Sequence, residues 1–120
     1  MKSKTEILEI IDQMRGTEQY HKFSNCTHFP ILTDGVLALA NAAECFWLLD
    51  VIGSYQTNKK LDPNFQVWKL TVDHETHKGK VCAFNDATFV LEQDIPFTDF
   101  PLEELKLYLM RGVLLLPSEY

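Results

Sequence analysis

The sequence predicts an α+β fold in which an antiparallel sheet of about four strands, a three-strand meander plus a C-terminal strand, packs with about three helices, one of them central and apolar. Three observations carry this expectation. Apolar residues recur at helical spacing through the first half of the chain, near residue 65 the period changes to two, and a capped stretch close to the C-terminus runs into an uninterrupted apolar VLLL. With 120 residues, 46% hydrophobic and 23% charged, the chain is sized for one domain over 1–120 with a single core.

Each element follows from local signals. Ser3 and Glu6 have capping-box spacing ahead of Ile7, Leu8, Ile10, Ile11 and Met14, which gives a first helix over 4–15 ended by Gly16. Residues 17–33 keep neither period and read as a loop with a short strand or turn. Thr33 and Asp34 then cap a second helix over 35–56, apolar almost all the way round from Val36 to Ile52, as a helix packed on several sides must be. FQVWKLTV, KVCAF and ATFVLEQ alternate as three strands, the last two joined through Asn85 and Asp86. Pro101, Glu103 and Glu104 mark a helix start and Arg111 with Gly112 its end, so a third helix is expected with Leu102, Leu105 and Leu109 inward. Val113–Leu116 is then a short inner strand, beside one of the meander strands, stopped by Pro117.

Charge and cysteine usage exclude some classes of function. A net charge of −6 with scattered lysines and arginines argues against general binding to a phosphate backbone, which calls for clustered cations. Cys26, Cys45 and Cys82 are odd in number and form no CxxC pair, so they read as thiols of a reducing compartment, and the chain as cytoplasmic. The first residues mix charges with apolar side chains and offer no signal-peptide core, and no apolar run is long enough for a membrane span.

Candidate chemistry is sparse. DHETHKGK sets two histidines beside a glutamate, but His74 and His77 are three apart where a zinc-protease helix needs four. They also lie between two strand patterns, so the stretch reads as a polar hairpin connection with Gly79 free to take the left-handed conformation. His21, Cys26 and His28 are a weak metal-ligand set that lacks a fourth ligand. Neither group implies a bound metal, and no cofactor motif is present, since the five glycines are isolated and form no phosphate-cradling loop. Asp50 is the most distinctive polar residue: a carboxylate with Phe46, Trp47 and Ser54 at helical spacing and Tyr55 close by is a candidate ligand-binding group, against the simpler reading of a solvated residue near a helix end.

SYQTN, FQVWKL, FTDFPLEELKLYL and GVLLLPSEY, spread over the latter two thirds of the chain, resemble a family of small uncharacterised bacterial and phage proteins. The resemblance implies a compact stand-alone domain, frequent in mobile elements, and supplies no activity, cofactor or catalytic residue. Together these readings give a leading expectation, a non-enzymatic cytoplasmic module that binds a protein partner or a second copy of itself, with no general nucleic-acid or membrane binding. The alternative is an enzyme or small-ligand binder with a pocket around Asp50, Trp47 and Tyr55.

Overall fold

A computed structural model of the chain describes residues 1–14, 16 and 19–120. Helix α1 (Lys4–Gln13) begins where Ser3 Oγ accepts the amide of Glu6 at 3.3 Å and donates to its carboxylate at 3.1 Å, and this Ser3 contact holds Glu6 below the usual carboxylate range. Met14 leaves the helix in an extended conformation, and residue 15, where the sequence reading ended α1, lies outside the described residues.

The predicted helix over 35–56 is two helices, α2 (Asp34–Ala43) and α3 (Phe46–Ser54), separated at Glu44, which takes the left-handed conformation with φ 51°. The chain start stabilises this break: the Met1 ammonium pairs with the Glu44 carboxylate at 2.9 Å, and the Lys2 amide donates to the carbonyl of Ala42 at 2.8 Å. With the helix interrupted at Glu44, Val36, Leu39 and Ala40 of α2 and Leu48, Leu49 and Ile52 of α3 all reach the core. An apolar circumference on one helix is thus explained by two helices, each burying its own side.

Among the described residues the sheet has seven strands and is mixed, not a four-stranded antiparallel one. Its order is β1-β2-β7-β6-β3-β4-β5, with β1 (His21–Lys22), β2 (Ile31–Leu32), β3 (Gln66–Asp73), β4 (Lys78–Asn85), β5 (Thr88–Ile95), β6 (Glu104–Met110) and β7 (Val113–Leu115). All neighbours are antiparallel except β2 and β7, where Ile31 lies opposite Val113 and Leu32 opposite Leu114 in a parallel pair.

The meander β3–β4–β5 is present as expected. Its second turn is Asp86–Ala87, one residue beyond the predicted one, with Asp86 at φ 56°. Its first turn spans His74–His77; the left-handed residue there is His77, φ 59°, and Gly79 lies inside β4, where an added Cβ would stand 3.2 Å from Thr98 Cγ2.

The largest correction concerns 101–111, predicted as a helix and found as strand β6. Leu105, Leu107 and Leu109 alternate along it and face Leu70, Trp68 and Gln66 of β3, so burial follows period two even though Leu102, Leu105 and Leu109 also fit a helical stripe. Arg111 and Gly112, at φ 52° and 83°, are the two central residues of a hairpin turn into β7, a role that demands positive φ at both. Val113–Leu115 therefore pairs inside the sheet, between β6 and β2 rather than against the meander.

One face of the sheet is covered by the helices. Trp68 and Leu70 of β3, Val81 and Ala83 of β4 and Leu114 of β7 join the helical side chains in one core. Tyr55, at the end of α3, lies against Trp68 with ring centroids 6.1 Å apart, and Gln56 exchanges two amide hydrogen bonds with buried Gln66, both 3.0 Å. No helix among the described residues is long and apolar enough to cross a membrane. The chain ends in a 3-10 helix, Pro117–Glu119, whose Glu119 carboxylate caps α2: it accepts from Thr33 Oγ1 (2.7 Å), the Gly35 amide (3.2 Å) and the Leu116 amide (3.0 Å).

Candidate functional site

The structure disperses the residues that the sequence singled out. Asp50 and Ser54 lie on the exposed side of α3, where Ser54 Oγ donates to the carbonyl of Val51 at 2.7 Å, whereas Trp47 is half-buried against the core. Tyr55 turns toward the sheet and its hydroxyl donates to Gln93 Oε1 at 2.6 Å. His21 Nε2 lies 2.7 Å from Asp34 Oδ1, Cys26 is exposed, and the ring of exposed His28 rests on Phe29 at 5.0 Å. No group of three or more histidines, cysteines, aspartates or glutamates among the described residues is placed to hold a metal ion. In the HETH turn, His74 Nε2–H donates to the carbonyl of Phe100 at 3.1 Å and Glu75 N donates to Asp73 Oδ1 at 2.9 Å, so these groups shape the connection.

A different surface gathers side chains that the sequence reading left apart. The helices cover one face of the sheet, and on the other the outward residues of each strand stand in two groups. Toward one end they are charged: Lys80 Nζ lies 3.5 Å from Glu92 and 4.0 Å from Asp94, and Lys69 Nζ lies 3.5 Å from Glu104. Toward the other end they are apolar and largely aromatic. Phe65 meets Tyr108 edge-on with centroids 5.3 Å apart, Tyr120 joins both at 6.4 and 5.7 Å, and Phe84 meets Phe89 edge-on at 5.9 Å. Phe89 and Tyr120 remain 53% and 76% exposed and Ile31 of β2 36%, while Phe65, Phe84 and Tyr108 are partly buried, so part of this apolar surface stays in water.

Where the two groups meet, the face is hollowed into a recess of about 380 Å³. Strand β3 contributes Val67 and Lys69 with Phe65 just ahead of it, β4 contributes Phe84, the following turn Asp86 and Ala87, and β6 Lys106 and Tyr108. Lys69 and Lys106 are directly opposite one another across β3 and β6. Cys82, on the same face, has Lys69 and Glu92 as its neighbours in register, and burial, followed by the Glu92 carboxylate, pushes its thiol up. A thiol held protonated in this way is poorly suited to nucleophilic chemistry. The recess thus offers apolar contact and cationic hydrogen-bond donors, which is equipment for binding.

Part of this surface had a signal in the sequence. The strand pattern of FQVWKLTV sets Phe65 and Val67 opposite the heavily buried Trp68, Leu70 and Val72, and apolar residues on the outward side of a strand are the mark of a face that is not simply solvated. Lys106 and Tyr108 had none, because a helical reading of 101–111 removes them from the sheet.

No curated protein and no solved structure matches the chain. A protein-family model described as a family of unknown function, DUF6876, matches residues 5–120. That match spans nearly the whole chain, from the second residue of α1 through the C-terminal 3-10 helix, and the chain therefore belongs to the DUF6876 family of unknown function.

Proposed function

We propose that this chain is a non-enzymatic, cytoplasmic binding module that meets a protein partner across the uncovered face of its sheet. One observation carries the reading: the aromatic half of that face, where Phe65, Tyr108 and Tyr120 form one group of rings and Phe84 and Phe89 another, with Phe89 and Tyr120 left largely exposed. An antiparallel sheet open on one side normally alternates apolar inward with polar outward, and here the rule holds in one half of the face and fails in the other. Phe89 and Tyr120 are 53% and 76% exposed and Phe65, Phe84 and Tyr108 partly so, and a contiguous apolar patch rimmed by charged residues is the kind of surface that marks an interaction site. The resemblance to small phage and bacterial proteins agrees with an interaction role by analogy, since such proteins often act by binding host proteins.

The test is affinity capture from a lysate of the organism that encodes the chain, with wild type, Phe84→Asp, Tyr108→Asp and Asp50→Asn as baits, each first shown by circular dichroism to fold. The expected result is a partner retained by wild type and Asp50→Asn and lost by the two face variants. Capture that survives both face substitutions but fails with Asp50→Asn would transfer the site to α3 and favour the small-ligand reading.

A further inference from the structure

The charge arrangement in the recess carries information about what sits there. Lys69 and Lys106 are paired residues on adjacent hydrogen-bonded strands, and both point to the open face. Like charges directly opposite one another weaken a sheet. Lys69 has Glu104 at 3.5 Å, whereas Lys106 has no ion-pair partner among the described residues. Carboxylates outnumber cations in this chain, 17 to 11, so a lysine set against a lysine is a departure from its own composition. An incoming negative group between the two ammoniums would remove the repulsion and give Lys106 a counter-ion.

The surroundings limit how much negative charge can follow. Glu92, Asp94 and Glu104 lie on the charged side of the lysine pair, and Asp86 lines the recess on the other. A nucleic-acid strand carries a charge at every nucleotide and would run off the pair into carboxylates in either direction, on a molecule of net charge −6. A peptide with one or two carboxylates beside an apolar side chain meets no such conflict. Its carboxylates fit the ammonium pair, and its apolar residue fits the recess between Phe65, Phe84 and Tyr108.

We propose that the open face recognises an acidic–apolar peptide segment, with a carboxylate held by Lys69 and Lys106 next to an apolar or aromatic side chain seated between Phe65, Phe84 and Tyr108. This rests on the reading of the face as the protein-binding surface. The experiment is to pan a random peptide library on the wild-type protein and on the Lys69→Glu/Lys106→Glu double variant, then to measure selected peptides by fluorescence anisotropy, with oligo-dT as a second probe.

Wild type is expected to enrich Asp or Glu beside Phe, Trp or Leu, and the charge-reversed protein to enrich Lys or Arg in the same places. A wild-type-selected peptide should bind the reversed protein about tenfold more weakly or worse, and should weaken with added salt. Peptides without acidic bias whose binding is still lost in Phe84→Ser and Tyr108→Ala would overturn the charge assignment and leave the surface standing. Peptides indifferent to all these substitutions, or no enrichment at all, would overturn both. Oligo-dT bound more tightly than any selected peptide, and released by the lysine reversal, would assign the face to single-stranded nucleic acid instead.

Discussion

Glu119, the penultimate residue of the sequence, is expected to be one of the most costly polar side chains to remove. Its carboxylate accepts the Thr33 hydroxyl at 2.7 Å, the Gly35 amide at 3.2 Å and the Leu116 amide at 3.0 Å, which joins the C-terminal segment to the first turn of α2. Thr33 is 2% exposed, so Glu119→Ala leaves a buried hydroxyl without its acceptor, and it leaves the Gly35 amide as an uncapped helix-start donor. Hydrogen bonds to a charged group are worth about 1.5–3 kcal/mol each, but Glu119 is only half-buried and water recovers part of the loss, so the net cost should be about 2–4 kcal/mol. In a chain of this size that lowers the melting temperature by roughly 10 °C. Glu119→Gln keeps one acceptor oxygen and should fall between wild type and Ala. Gly35→Ala reaches the same interaction from the other side, because its Cβ would stand 2.6 Å from Glu119 Oε1, so the double variant should cost less than the sum of the singles. Urea denaturation of wild type and the four variants measures this; a loss under about 1 kcal/mol for Glu119→Ala, or strict additivity with Gly35→Ala, would refute the reasoning.

Removing residues 113–120 should give an unfolded or aggregating chain, because Leu114 and Leu116 are fully buried and β7 is an interior strand between β6 and β2; a 1–112 fragment that melts cooperatively near the full-length temperature would refute this. Cys45 is 1% exposed and burial pushes its thiol from an ordinary 9.0 up to about 12, so the native state keeps a proton that the unfolded chain releases, and stability falls as pH rises through that interval. The cost of Cys45→Ala in urea should accordingly shrink by about 1 kcal/mol between about pH 8 and about pH 10, and a cost that stays flat would show that the thiol ionises alike in both states. His74→Ala should cost about 1 kcal/mol through its hydrogen bond to the Phe100 carbonyl, more than a free hairpin position would, and a melting curve superimposable on wild type would mean the bond contributes nothing.

The parts of the fold legible in the sequence were those decided locally. Ser3 and Thr33 cap the helices they were expected to cap, and the period of two in 65–93 gave the meander with small errors at its turns. The parts that were not legible depend on residues distant in sequence. Whether 34–54 is one helix or two turns on Glu44 in the left-handed conformation, and that residue is held by Met1 and Lys2, more than forty positions earlier. In ELKLYLM the leucines Leu105, Leu107 and Leu109 alternate at period two, but Pro101, Glu103, Glu104 and Gly112 imitate helix ends, and Leu102, Leu105 and Leu109 make a helical stripe once Leu107 is set aside. The decision comes from β3, whose second edge would otherwise be unpaired, and which offers Trp68 and Leu70 as partners for Leu107 and Leu105. Strands β1 and β2, two residues each, have no signature of their own and exist because β7 presents an edge to them.

The candidate site was hidden for the same reason. Asp50 attracts attention in a single long apolar helix, where a carboxylate among Trp47 and Phe46 looks out of place; once the helix is broken at Glu44, Asp50 is an ordinary exposed position on α3. Lys106 behaves in the opposite way. As one lysine of a supposed helix it is unremarkable, and only when β6 pairs with β3 does it stand across from Lys69 at the edge of an aromatic recess. Neither residue is anomalous by type; each becomes so, or ceases to be so, through its neighbours. On a helix those neighbours are three and four positions away and can be read directly, whereas on a sheet they are supplied by strand pairing, here between segments 37 positions apart (106 − 69). A binding surface built on an open sheet face is therefore recoverable from a sequence only after the pairing is known, and the charge pattern that points to its occupant becomes visible at the same step.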